Sequence, residues 1–252
     1  TGRTLPPAFV AALHHGGFRP IVPQRPGFGL TDAAAGDYLS DAADDLATLL
    51  DALRIKAAHL LVRDDGAATA LAFAARHSER ILTAALVNPR WPGAGVRSPD
   101  SLMGSITKAF LVRPEIVAMF GEMLRRQTSS ELVEAMIRRA ANHVPADVEV
   151  LSRPGVVTAM VRDIQAMAAR TSRGFADEQG VYATGWTPPQ LDGKIPWLVA
   201  ECRPLTLPGV EAAFAALPRA RFTEIEAGGL LVYHSHPHVV ADLFAGHARA
   251  TP

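Results

Sequence analysis

Residues 59–75 read HLLVRDDGAATALAFAA, and the order of residue types in them decides how the rest of the chain is organised. His59 to Val62 is a short apolar run that suits a buried strand, and Ala67 to Ala75 is rich in Ala and Leu at helical spacing. Between them Arg63-Asp64-Asp65-Gly66 leaves room only for an abrupt turn. A carboxylate in such a turn has two physical uses. Asp64 can cap the following helix, since Asp accepts hydrogen bonds from the first free amides and suits the positive helix end. It can also stand above the strand end as a nucleophile and form a covalent intermediate. The residues alone leave both readings open.

The turn resembles the nucleophile elbow of the α/β-hydrolase family, G-x-S-x-G, in which a sharp strand-to-helix reversal lifts the nucleophile above a sheet. Here it reads Val62-Arg63-Asp64-Asp65-Gly66, with Asp64 at the serine position and Val62 in place of the first glycine. Haloalkane dehalogenases and epoxide hydrolases of that family carry aspartate as nucleophile, so the resemblance admits an active hydrolase using Asp64 on an ester, epoxide or carbon–halogen bond. Further stretches carry the same resemblance. Pro23-Gln24-Arg25-Pro26-Gly27-Phe28-Gly29 is similar to the P-x-x-P-G-F-G segment that shapes the pocket wall, and His77-Ser78-Glu79-Arg80-Ile81 stands where the family has H-P-E-R-[VI]. Gly174-Phe175 to Gly185-Trp186, then Leu191 to Pro196, resembles the return of a cap to the core. The likeness covers nearly the whole chain. It implies an α/β-hydrolase fold: a mainly parallel sheet flanked by helices, with residues 1–93 and 191–252 as core and 94–190 as an inserted helical cap.

Periodicity along the chain gives elements that fit this outline. Leu5 to His15 suits a helix, Phe18 to Val22 a short strand, and Tyr38 to Leu53 a helix with Ser40 or Asp41 as cap. Thr83 to Val87 suits the next buried strand. From Pro89 to about Gln190 the pattern is helical, with Leu102 to Val112, Glu115 to Arg126, Ser130 to Asn142 and Pro154 to Arg170 each mixing apolar and charged residues. Ile195 to Ala200 and Arg221 to Ile225 read as strands, Glu211 to Leu217 and Pro237 to Phe244 as helices. Strand alternating with helix is the mark of a parallel sheet covered on both faces.

A triad needs a base and an acid that orients it. In the resembled family the acid follows the strand ending near Ala200, but Glu201-Cys202-Arg203-Pro204-Leu205-Thr206-Leu207-Pro208 holds no aspartate, and Glu201 sits on the strand end itself. The base belongs to a G-x-G-H segment, whereas Ala227-Gly228-Gly229-Leu230 puts Leu230 there, and leucine accepts no proton. His234, His236 and His238 follow at spacing two, but Pro237 and the helical pattern after it favour a polar turn over a metal site. Asp64 and Asp65 side by side invite an acid/base pair, although neighbours in a sharp turn point apart. One oxyanion donor would be the Asp65 N–H; the other belongs to a loop after a central strand that has no counterpart before Gly16. The chain is therefore expected to lack its N-terminal strands, leaving Phe18 to Val22 not directly bonded to the elbow strand.

Composition narrows the function classes. Formal net charge is zero, giving no general attraction to nucleic acid or acidic membranes. The single cysteine, Cys202, excludes an internal disulfide framework and fits a reducing, cytoplasmic setting. No apolar run approaches the ~20 residues needed to span a bilayer. These observations converge on an α/β-hydrolase-like domain with an incomplete triad that binds a small apolar molecule, with Asp64 as candidate catalytic residue and Asp65, Trp91 and Leu230 as candidate pocket residues. Neither metal nor cofactor is implied. The resemblance extends to domains joined to helix-turn-helix regulators, so a linked DNA-binding or signalling domain is an expected partner; the oligomeric state is open.

Overall fold

The computed structural model describes residues 5–90, 113, 115–116, 119, 122, 130–141, 144–183, 186–205, 214–215 and 217–250. Its centre is a sheet of strands β1 (Ala58–Arg63), β2 (Ile81–Val87), β3 (Trp197–Cys202) and β4 (Ala220–Ile225), in that spatial order. Every neighbouring pair is parallel, with Val62 opposite Leu86 and Ala84 opposite Trp197. Parallel strands need crossovers, which cover both faces and demand near-continuous apolar strands. β3 is buried at all six positions, as its sequence WLVAEC leads one to expect except at Glu201.

Alternation along the strands divides the core into two layers. Trp197 and Val199 face α2 (Tyr38–Ala52) and α3 (Gly66–Arg76), whereas Leu198, Ala200 and Cys202 face α1 (Pro7–His15) and α9 (Pro237–Arg249). α3 is buried almost all round because Ala67, Ala68, Ala70, Ala72 and Ala74 let it lie close to its neighbours, while Leu71 and Phe73 supply the apolar area. Full burial of those two side chains contributes about 1.5–3 kcal/mol each.

Between β2 and β3 lie α4 (Ser130–Ala141), α5 (Pro145–Ser152), α6 (Val156–Met167) and α7 (Arg173–Ala183). Val133 and Ile137 of α4, Val150 and Leu151 of α5 and Val157 and Val161 of α6 form a third cluster, which reaches the core through Leu231. After β4 a short helix α8 (Val232–Ser235) leads into α9. Among the described residues no helix is long and apolar enough to cross a membrane.

Several sequence expectations change. Among the described residues Phe18 to Val22 joins no ladder. Pro20 and Pro23 lack donors, and the segment is held instead by Phe18, whose ring packs on Phe244 at 4.9 Å and on His59 at 5.7 Å. It is accordingly not bonded to β1, which pairs with β2 at one edge. The cap of α2 is Asp37, accepting from the Ser40 amide at 2.9 Å, in place of Ser40 or Asp41; the Asp41 carboxylate accepts from Ala35 and Gly36. α5 and α7 fall within the stretch expected to be helical, but the periodicity of the sequence delimits neither. The expected helices at 102–112, 115–126 and 211–217 fall wholly or largely outside the described residues.

The Pro-Gly loop approaches α7 more closely than side chains permit. Gly27 has φ +73°, and its carbonyl accepts from the Gly174 amide at 3.3 Å. A Cβ on Gly174 would stand 2.5 Å from the Pro26 oxygen, whereas one on Gly180 of the same helix meets nothing within 4 Å. Gly174→Ala is therefore expected to destabilise by about 1–3 kcal/mol through overpacking. Gly180→Ala should gain about 0.5–1 kcal/mol of helix propensity. Urea unfolding of the two variants beside the wild type separates the effects.

Candidate active site

Asp64 lies just beyond β1. Its amide donates to the Val87 carbonyl at 3.3 Å, extending the ladder by one residue, and its backbone then turns left-handed at φ +46°. That conformation disfavours a residue bearing a Cβ and persists where surrounding structure imposes it. Here the Asp64 carbonyl accepts from the amides of Ala67 at 3.2 Å and Arg90 at 3.1 Å. The helix begins two residues later, with Asp65 at its N-cap and no side-chain cap bond. The helix-cap alternative for Asp64 therefore does not hold. Its carboxylate, about one third exposed, has Arg63 Nε at 3.5 Å, and the Arg63 guanidinium lies over the Tyr233 ring at 5.7 Å. A Cβ on Gly66 would stand 3.1 Å from Val62 Cγ1, so the valine at the first-glycine position packs directly against the helix start.

Asp65 points the other way, into the helices above the sheet. Arg90 Nη1 bridges Asp65 Oδ1 at 3.2 Å and Gln179 Oε1 at 2.8 Å, and Gln179 Nε2 donates to Asp65 Oδ2 at 3.2 Å. Tyr182 donates to the Asp65 carbonyl at 2.9 Å and accepts from the Ala68 amide, while Arg90 stacks on its ring at 4.3 Å. The two adjacent carboxylates thus serve separate partners and form no acid/base pair. Beside them Arg25 forms an ion pair with Glu178, which is 2% exposed. Burial pushes the Glu178 carboxyl up to about 7, with Arg25 opposing the shift and Asp65 adding to it.

The segment that would carry a base presents Leu230. Asp147 of α5, fully buried, accepts from the Leu230 amide at 2.8 Å and the Leu231 amide at 2.9 Å. Burial raises its carboxyl above the ordinary range, while the two amide bonds pull it down. Gly229 is required here, because a Cβ would meet Asp147 Cγ at 2.7 Å. From below, Asn88, with φ +47°, donates to the Gly229 carbonyl at 3.0 Å and accepts from the Cys202 amide at 2.8 Å. One asparagine thereby ties the ends of β2 and β3 to the Leu230 segment. Three residues on, buried Tyr233 brings the same segment against Arg63 and the elbow.

Glu201 is buried within β3, opposite Glu224. His234 is half-buried and pushed down by burial and by Arg63 and Arg153; it opens no exposed turn, since Val232–Ser235 is helical. The described residues contain no cluster of metal-ligating side chains. Trp91 lies outside the described residues. Sequence reading missed Asp147, Asn88, Glu178 and Gln179. Asn88-Pro89 at a strand end could have flagged a left-handed turn, whereas Asp147 meets its partner across 83 residues and gives no local signal.

A carboxylate on a strained strand-to-helix turn at the carboxyl edge of a parallel sheet, below a layer of helices, defines an α/β-hydrolase architecture. The chain belongs to the alpha/beta hydrolase family, whose model matches residues 2–243. It is 27% identical over 134 residues to the uncharacterised hydrolase YcgS of Bacillus subtilis, covering 53% of this chain and 42% of that protein. It is 37% identical over 98 residues to a 2-hydroxy-6-oxo-6-phenylhexa-2,4-dienoate hydrolase of Burkholderia cepacia, covering 38% of this chain and 33% of that protein. These matches thus span less than half the length of either curated relative. A thermophilic esterase from Thermogutta terrifontis superposes with TM-score 0.68 at 22% identity, over 99% of this chain and 88% of that one.

Removing the Asp147 carboxylate leaves two amides at the Leu230 segment without an acceptor. Asp147→Ala should destabilise by about 1–3 kcal/mol per orphaned amide, and Asp147→Asn, which keeps one acceptor oxygen, by about half as much. Chemical denaturation of both variants tests the ranking.

Proposed function

We propose that this chain is an α/β-hydrolase-like domain with an incomplete triad that binds a small apolar molecule beneath its helices, as a sensory or regulatory domain. The observation that carries the reading is Leu230, which stands at the base position on a segment held from above by Asp147 and from below by Asn88. A leucine neither takes a proton nor activates water, so the second half of a covalent mechanism has no agent at that position. In this reading residues 94–190 are assigned to the cap, and Asp65, Trp91 and Leu230 are the residues assigned to the ligand site. A linked DNA-binding or signalling domain would receive the output.

A second reading has its own support. The left-handed backbone at Asp64 is the strained geometry that a nucleophile elbow requires, and a carboxylate there can attack an electrophilic carbon. In that case the protein is a hydrolase of an ester, epoxide or haloalkane with Asp64 as nucleophile.

Purified protein assayed on short- and medium-chain aryl esters, epoxides and haloalkanes separates the two. The binding reading expects turnover at least about 10⁴-fold below that of a complete triad, unchanged in Asp64→Asn. It also expects small apolar molecules to raise the melting temperature, because a ligand selective for the folded state stabilises it. Substantial turnover abolished by Asp64→Asn establishes the hydrolase instead.

A further inference from the structure

A carboxylate that attacks carbon needs an accessible oxygen held in place, and its product needs a base that later delivers water to the ester. Asp64 meets the first requirement. Its side chain is about one third exposed, its left-handed backbone is fixed by Val87, Ala67 and Arg90, and Arg63 Nε at 3.5 Å sets a cation beside Oδ2. The neighbouring carboxylate of Asp65 is instead engaged by Arg90 and Gln179. The second requirement falls to Leu230, on a segment whose amides at Leu230 and Leu231 are pinned by Asp147. The imidazoles that follow have other surroundings. His236 Nδ1 pairs with Ser235 Oγ at 2.8 Å and lies 3.4 Å from where a Cβ on Gly228 would stand, while the charged groups around His234 are Arg63, Arg153 and Asp163.

We propose that Asp64 captures small alkylating electrophiles, epoxides and primary haloalkanes, in a single stoichiometric step that ends at an alkyl ester. This rests on Asp64 as the nucleophile of the second reading above, but not on turnover. A carboxylate oxygen of Asp64 bonds to the electrophilic carbon as the bond from that carbon to its halogen or ring oxygen breaks. The electron pair leaves with the halide, or with an alkoxide that takes a proton from water. Arg63 is the cation beside the departing negative charge. Releasing the ester requires water activated by a base, and loss of a base slows such a step by on the order of 10⁴-fold or more. The class of electrophile decides whether the reaction arrests. Attack on an ester carbonyl gives a mixed anhydride, which water cleaves unaided, whereas attack on a saturated carbon gives an ordinary alkyl ester, which is stable in neutral water. The occupied state of the domain is then a covalent one.

Intact-mass spectrometry of the full chain incubated with styrene oxide or 1-iodohexane tests the capture. The wild type should gain the mass of one added group and keep it after the free probe is removed. Asp32 and Glu226 are the internal reference, being 81% and 84% exposed and each, like Asp64, beside an arginine. Peptide mapping should find Asp64 labelled at least about tenfold faster than either, because positioning outweighs exposure. Asp64→Asn should lose the adduct, and asparagine tolerates the left-handed backbone; should that variant fail to fold, the wild-type map decides alone. Labelling that follows exposure, or an adduct retained by Asp64→Asn, overturns the capture. Released product in excess over protein with no lasting adduct overturns it too, while leaving Asp64 as the nucleophile of a hydrolase. An adduct that lasts only in His234→Ala has the same meaning and makes His234 the base. Absence of both adduct and turnover overturns the second reading along with the capture, and a melting-temperature shift with the unreactive ethylbenzene then reports on the binding reading separately.

Discussion

The reversal of the chain at Asp64 holds because three backbone hydrogen bonds converge on one residue. The Asp64 amide remains in the sheet, bonded to Val87, while its carbonyl is shared between the first turn of α3 and the amide of Arg90. A left-handed residue with a Cβ is disfavoured in isolation, and these bonds are what keep it there. The same residue that donates its amide to the elbow, Arg90, closes the side-chain ring with Asp65 and Gln179. Sheet, elbow and overlying helix are consequently fixed relative to each other through a few adjacent atoms, and the placement of Asp64 above the sheet follows from them.

Buried carboxylates organise the layer of helices above the sheet, in two different ways. Asp147 is satisfied by amides, so its charge meets two fixed dipoles and its role is to hold a loop. Glu178 is paired with one guanidinium, that of Arg25, in the presence of a second carboxylate, so its charge is less well accommodated. Burial is almost complete at both sites, yet the number of fixed donors differs. Where fixed donors are plentiful a buried charge is a rivet; where they are few it responds to its surroundings.

Much of the architecture could be read before any coordinates because it rests on local patterns. The apolar runs at His59 to Val62 and Thr83 to Val87 gave β1 and β2, and the small-residue run after Gly66 gave α3. The extended stretch at Phe18 to Val22 misled, since an apolar alternation says nothing about whether a partner lies within bonding distance, and its prolines remove donors. Only the bounds of α7 were obscured, by Gly174 and Gly180, which weaken intrinsic helix propensity; Gln179 and Tyr182 fix the helix to Asp65, more than a hundred positions away. For the site, the elbow was legible from Asp64 to Gly66 and the substitution at Leu230 from its Gly-Gly context. The anchors Asp147 and Asn88 were not, because neither stands in a local pattern that specifies what it will hold.

The bare contact between Gly27 and Gly174 bears on how this family can exchange parts. With backbone touching backbone, the loop and the helix above it are matched as a pair, and neither surface can drift alone. A chimera that borrowed α7 from a related protein would inherit a side chain facing Gly27 unless the donor also had a glycine there. A viable exchange at this seam would therefore have to carry both glycines together.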